Sequence, residues 1–270
     1  MAGRAPTAAL EGWKSAPFSA NGITHPCFEK GDGRGVVLVP EVPGISPEVL
    51  GLGDHLVDEG FTVVIPSPFG TPGHAATAGY TAGVLARLCV ASEFRAFATN
   101  ARRPIADYLR ALCADLAGRT PGAGVGIIGM CFTGGFALAA AVEPTVLAPV
   151  MSQPSVPFAL GAARKADAGV SADELRQVVA RTRSDGLCLL GLRFSGDKMA
   201  PGDRFATLRR ELGDAFEVIE LDSSPGNAGG FGRAAHSVLT HEVRDEPGNE
   251  ALATRARVVE FLRSRLAPRP

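Results

Sequence analysis

The residue in this chain with the plainest capacity for chemistry is Cys131, set in the run Val125-Gly126-Ile127-Ile128-Gly129-Met130-Cys131-Phe132-Thr133-Gly134-Gly135-Phe136-Ala137-Leu138. The run begins as a continuous apolar segment of strand length, which suits a parallel strand buried on both faces. It ends as a small-residue, helix-compatible segment from Phe136 to Val142. A strand that turns this abruptly into a helix needs small residues on either side, because the two backbones nearly touch. Gly129 before the thiol and Gly134 after it meet that need. The residue at the apex then points out of the sheet, with the positive end of the helix behind it. A thiol in that place has a lowered pKa and is available as the attacking thiolate. A cysteine of no special context is more often a small buried apolar residue; the flanking glycines favour the reactive reading, provided that partners exist elsewhere.

Such a nucleophile needs a base that can also protonate a leaving group, and a carboxylate to orient that base. Asp197 and His236, like Cys131, each lie just beyond a segment of strand character. The order nucleophile, acid, histidine resembles that of α/β-hydrolases, whose nucleophile sits on such a strand-to-helix elbow. A parallel sheet would carry all three to its carboxyl edge. Asp203 competes as the acid, but an acid in a first helical turn is explained by the helix dipole; Asp222, ending the following strand, is a weaker rival. His241 and His74 compete with His236, while His25 and His55 lie in segments that would not reach the elbow. His236 is preferred because its loop joins the last strand to the last helix, where this architecture keeps its base. Against these roles stand the bland readings of Asp197 as a turn residue after Gly196 and His236 as a solvated loop histidine.

The elements that must position these groups follow from periodicity and punctuation. Asn21-Gly22 signals a hairpin between extended flanks, after a first dozen residues that read as a loose tail. Strands are expected at 35–40, 61–66, 125–130, 148–152, 187–195 and 216–221. Helices are expected at 47–59 behind Ser46-Pro47, across about 83–117 with a break near Pro104, at 136–142, at 171–183 behind a Ser171/Glu174 capping box, at 201–212 and at 250–266. Strands alternating with helices imply βαβ units and a mostly parallel sheet flanked by helices on both faces. No linker divides the chain, so 1–270 reads as one domain.

With 270 residues, 46 % hydrophobic and 20 % charged, the chain is long enough for one large α/β core of ordinary globular composition. A net charge of −1 gives no reason to expect nucleic acid or an acidic membrane surface as partner. Five widely spaced cysteines without a CxxC pair argue against a disulfide framework or a metal site and for a reducing, cytoplasmic setting. No apolar segment follows Arg4 as in a signal peptide, and none spans a membrane. No cofactor is expected.

Gly-Met-Cys131-Phe-Thr-Gly-Gly, Asp197-Lys-Met-Ala-Pro201, Ala235-His236-Ser237 and Val39-Pro40-Glu41-Val42-Pro43-Gly44 together resemble the dienelactone hydrolase family, over Gly35 to Leu266. The resemblance implies a Cys131, Asp197, His236 triad and a glutamate, Glu41, that contacts the resting thiol and takes its proton when substrate binds. It places the oxyanion hole at the backbone N–H groups of Val42 and Phe132. Three departures stand out: Thr133 replaces a usual Gly and should crowd the elbow, Pro43 replaces an aromatic, and Thr240 replaces an arginine that binds a substrate carboxylate. Arg87 or Arg95 could correspond to a second family arginine. Substrate-binding candidates are therefore Arg87, Arg95, Ser237 and Thr240, the last as a neutral pocket wall that favours uncharged lactones or esters. The stretch 154–184 is longer than the family core needs and is a candidate cap. The expected function is a cofactor-free hydrolase opening a small lactone or ester through a thioester on Cys131, as a monomer or small homo-oligomer. The alternatives are an acyl-transfer or rearrangement enzyme using the same thiol, and a binding protein that keeps the fold without turnover.

Overall fold

Short aliphatic runs bounded by Gly and Pro become strands of one eight-stranded sheet in the computed structural model, which describes residues 5–267. The strands are β1 (Lys14–Ala20), β2 (Ile23–Lys30), β3 (Arg34–Val39), β4 (Phe61–Pro66), β5 (Val125–Met130), β6 (Val146–Ser152), β7 (Leu189–Phe194) and β8 (Phe216–Leu221). The helices are α1 (Pro47–Asp58), α2 (Ala78–Val90), α3 (Pro104–Arg119), α4 (Gly134–Ala140), α5 (Gly161–Ala166), α6 (Ala172–Ser184), α7 (Gly202–Leu212) and α8 (Glu250–Leu266). Strand order is β1-β2-β4-β3-β5-β6-β7-β8. The β1–β2 hairpin, closed at Asn21-Gly22, and its β2–β4 edge are antiparallel, and every other pairing is parallel. This is the α/β-hydrolase arrangement. Progress along the sheet reverses between β3 and β5, so the chain leaves those two neighbouring strands in a crevice where open α/β sheets place ligands.

Alternation along the strands divides the core in two. Val37, Val39, Ile127 and Leu189 face one side, under α2, α3, α4, α6 and α7. Val36, Leu38, Ile128 and Leu190 face the other, under α1 and α8. Helix starts follow their caps: Ser46 caps α1, the Ser171/Glu174 box caps α6, and Asn249 caps α8. Among the described residues no helix is long and apolar enough to cross a membrane.

Two expectations change. Residues 5–13 are not loose: the Ala8 N–H donates to the Pro47 carbonyl at 2.9 Å, and buried Trp13 donates to Asp54 at 3.1 Å. The start of the tail, residues 1–4, lies outside the described residues. The candidate cap also divides. Its second half, α6, is the crossover helix between β6 and β7, packed against α4 and α7 and tied to α3 by a Glu174–Arg110 ion pair. A crossover helix must lie on the sheet face to bury its apolar stripe. Only the stretch before it, 154–170, runs beside the elbow.

α6 also finishes α4. Arg181, 9 % exposed, donates to the carbonyls of Ala141, Glu143, Pro144 and Val146 at 2.6, 2.7, 3.0 and 3.1 Å, and pairs with Asp185. These acceptors are the orphaned carbonyls of a helix end and the turn into β6, which need partners once buried. Arg181→Met should therefore lower unfolding stability by about 2–4 kcal/mol, read as a fall in the urea midpoint with an unchanged denaturant slope.

Candidate active site

β5 runs directly into Cys131, whose φ of +54° lies in the left-handed region that L-residues rarely adopt. A turn of 3-10 helix, Cys131–Thr133, leads into α4. The neighbours are small because there is no room. A Cβ on Gly129 would stand 2.4 Å from the Thr133 carbonyl oxygen, and one on Gly134 would stand 2.7 Å from the Pro154 Cα. The strain at Cys131 is held by these approaches on both sides.

Thr133 does not crowd the elbow as expected; it fastens it. Its fully buried hydroxyl accepts from the Met130 N–H at 3.0 Å and faces the carbonyls of Val39 (3.1 Å), Pro40 (3.2 Å) and Met130 (3.0 Å). The end of β3 is thereby joined to the elbow, one residue before Glu41.

Asp197 ends the tight turn after β7 and is 5 % exposed. Its Oδ1 accepts from the Met199 and Ala200 N–H groups at 2.8 and 3.2 Å. Its Oδ2 lies 2.6 Å from His236 Nδ1, so the second carboxylate oxygen is left to the imidazole. Burial opposes a charge on that imidazole, but the sulfur of Cys131 and the Asp197 carboxylate outweigh it. The His236 pKa is raised well above its ordinary value. His236 Nε2 is buried with no hydrogen-bond partner. The rivals are occupied elsewhere: Asp222 serves Ser224 and Ser195, His241 faces Glu48 at 3.7 Å, and His74 stacks on Tyr80. Asp203 is exposed in the first turn of α7. His25 lies by Glu93, and His55 sits on α1.

Glu41, 2 % exposed, accepts from Gln153 Nε2 at 3.2 Å, Ser237 Oγ at 2.8 Å and Thr240 Oγ1. Ser237 and Thr240 therefore turn inward to a buried carboxylate. Thr240 is fully enclosed and forms no pocket wall; four residues after His236 it is covered by the loop that carries both. Arg87 and Arg95 are exposed. Arg87 lines a cleft of about 300 Å³ with Pro68, Tyr80 and Glu93, which Cys131, Asp197 and His236 do not line. Arg95 donates to the Arg102 carbonyl at 3.2 Å. Arg87 lies on α2, and Arg95 lies in the turn after it. Val42 follows Glu41 in the loop after β3, and Phe132 follows Cys131 at the elbow, its ring in an aromatic group with Phe69, Phe94, Phe136 and Phe158.

Gln153 and Ser155 escaped the sequence reading. They follow β6, and Ser155 Oγ lies 3.6 Å from Cys131 Sγ. Their one signal is position: they leave the strand adjacent to the elbow strand. Among the described residues no cluster of three His, Cys, Asp or Glu side chains could hold a metal ion.

The family model for the dienelactone hydrolase family matches residues 27–264. No curated protein matches the chain by sequence. Solved structures of similar fold include a dienelactone hydrolase-like promiscuous phosphotriesterase from metagenomic libraries, 16 % identical, covering 94 % of this chain and 98 % of its own, with a TM-score of 0.61. An α/β hydrolase from Penicillium sp. is 12 % identical over 94 % of this chain and 99 % of its own, with a TM-score of 0.59. An esterase of Pyrococcus furiosus is 13 % identical over 94 % and 91 %, with a TM-score of 0.58. At these identities the likeness is one of fold.

Thr133→Val, which keeps the shape and removes the hydroxyl, should cost about 1–3 kcal/mol of stability, because it strands the buried Met130 N–H and removes the donor to a buried carbonyl. Chemical denaturation of the two proteins side by side measures it.

Proposed function

The chain belongs to the dienelactone hydrolase family, hydrolases of ester bonds, and we propose that it opens a small lactone or ester through a thioester on Cys131, with His236 as acid and base and Asp197 orienting it. The observation that carries this reading is the 2.6 Å Asp197–His236 contact, which leaves Nε2 buried and unpartnered beside a cysteine held at positive φ. A raised His236 pKa, with the sulfur and the Asp197 carboxylate among its causes, suits an imidazolium that protonates the leaving group.

The steps follow from those groups. The Cys131 thiolate attacks the substrate carbonyl carbon, and the carbonyl electron pair moves to oxygen. In this reading the backbone N–H groups of Val42 and Phe132 receive that oxyanion. The C–O ester bond breaks, and the His236 imidazolium gives its proton to the leaving alkoxide. Neutral His236 then takes a proton from water, hydroxide adds to the thioester carbonyl, and the C–S bond breaks to release the acid. In a lactone both products remain one molecule.

Incubation with an activated ester under rapid quench should yield an acyl adduct on Cys131 by peptide mass spectrometry. Iodoacetamide should modify Cys131 ahead of Cys27 and Cys113, whose thiols burial pushes up, and ahead of Cys89 and Cys188. Activity should fall in step. First labelling elsewhere, with turnover lost in proportion, would overturn the assignment. His236→Ala should lower turnover by about three or more orders of magnitude.

The pH dependence has a definite sign. His236 bears its proton below its raised pKa and loses it as pH rises through that value, so leaving-group protonation should persist well into the alkaline range. Removing the Asp197 charge lowers that pKa. Asp197→Asn should therefore move the alkaline limb of the kcat profile toward neutrality.

A further inference from the structure

The sulfur of Cys131 has a near neighbour that neither the family resemblance nor the motifs supply. Ser155 Oγ is 3.6 Å from it, and the Ser155 N–H donates to the Cys131 carbonyl at 2.9 Å. Ser155 is 3 % exposed, and its hydroxyl makes no other hydrogen bond among the described residues. Its place is set from behind by fully buried Arg204, which donates to the carbonyls of Pro154 and Pro157 at 2.5 and 2.6 Å. Glu41, by contrast, is engaged by three donors and makes no hydrogen bond to the sulfur among the described residues.

We propose that Ser155, and not Glu41, is the resting partner of the nucleophile: its hydroxyl donates to the Cys131 thiolate, and the thiol proton resides on His236. The proposal rests on Cys131 being the nucleophile. A hydroxyl is a stronger donor than a thiol, and a thiolate is the stronger acceptor of the pair. A hydrogen bond made to the charged form favours that form. The groups facing the sulfur are few. The loop after β8 brings His236, with Asp197 of the β7 loop behind it; the β3 loop brings Glu41; the β6 loop brings Ser155 backed by Arg204. α4, continuing from the elbow, carries no titratable residue. The oxygens of Glu41 are already engaged by Gln153, Ser237 and Thr240, whereas the hydroxyl of Ser155 has the sulfur as its partner.

The test is the pH dependence of Cys131 alkylation by iodoacetamide, followed by peptide mass spectrometry, with the ultraviolet absorbance of the thiolate titrated in parallel. Ser155→Ala keeps the main-chain bond to Cys131 and should raise the midpoint, so that below it Cys131 reacts about tenfold more slowly, with an unchanged plateau at high pH. Ser155→Thr, which retains the hydroxyl, should restore the wild-type midpoint. Glu41→Gln should leave the midpoint in place or lower it. A midpoint unmoved or lowered in Ser155→Ala, or raised in Glu41→Gln, overturns the proposal. Failure of wild-type Cys131 to be alkylated or acylated would instead remove the nucleophile reading itself.

Discussion

The contact that the active centre depends on is the approach of two backbones at the β5–α4 elbow. A methyl group at Gly129 would collide with the start of the helix, and one at Gly134 with the main chain at the end of β6. Backbone forced together in this way has one outward direction left for the apex side chain, and it reaches it at positive φ. The rest is arranged around that direction. The reversal of strand order brings the β3 loop alongside, Thr133 fastens that loop to the elbow, and the neighbouring strand β6 ends where Ser155 can touch the sulfur. Asp197 and His236 arrive from farther along the sheet and need only reach the same edge.

The parts of this arrangement written in local sequence were legible. Glycine spacing at Cys131 reports a steric need that any observer of the chain can infer, and the chain order of Cys131, Asp197 and His236 follows from strand ends feeding one sheet edge. The caps at Ser46 and Ser171 are likewise local, since a hydroxyl satisfies an N–H three residues away. What remained hidden depends on approach in space. Thr133 reads as an intruder until the carbonyls of Val39 and Pro40 stand opposite it. Thr240 sits at a spacing that suits a pocket wall, but spacing gives a direction and cannot say what covers it. Gln153 and Ser155 are small polar residues in an ordinary loop until β6 is known to lie beside β5. Ala172–Ser184 had a visible cap and periodicity; only the pairing of β6 with β7 makes it a crossover helix.

Buried cations hold the loops over this edge. Arg103 donates to the carbonyls of Ala98, Ala101 and Gly169, and Arg204 to those of Pro154, Pro157, Arg164 and Asp167. Both are almost completely enclosed. Desolvation pulls their pKa values down, Arg204 to about 10, with the charge of Asp167 opposing. Each guanidinium spreads its donors over several carbonyls in a planar fork, a geometry that lysine cannot reproduce. Without such partners the peptide groups of 154–169 would lack acceptable burial beside the elbow.

Anchoring through main-chain oxygens has a bearing on how such a site diversifies. Every residue supplies a carbonyl whatever its side chain, so the fork of Arg204 grips the path of the loop and is indifferent to its lettering. Side chains such as Phe158, directed toward the aromatic group at Phe132, can be exchanged without loosening the strap that carries them. The loop is in this sense an interchangeable insert in a fixed frame: its side chains are free to drift, while the distance from Ser155 to the nucleophile stays tied to Arg204 on α7.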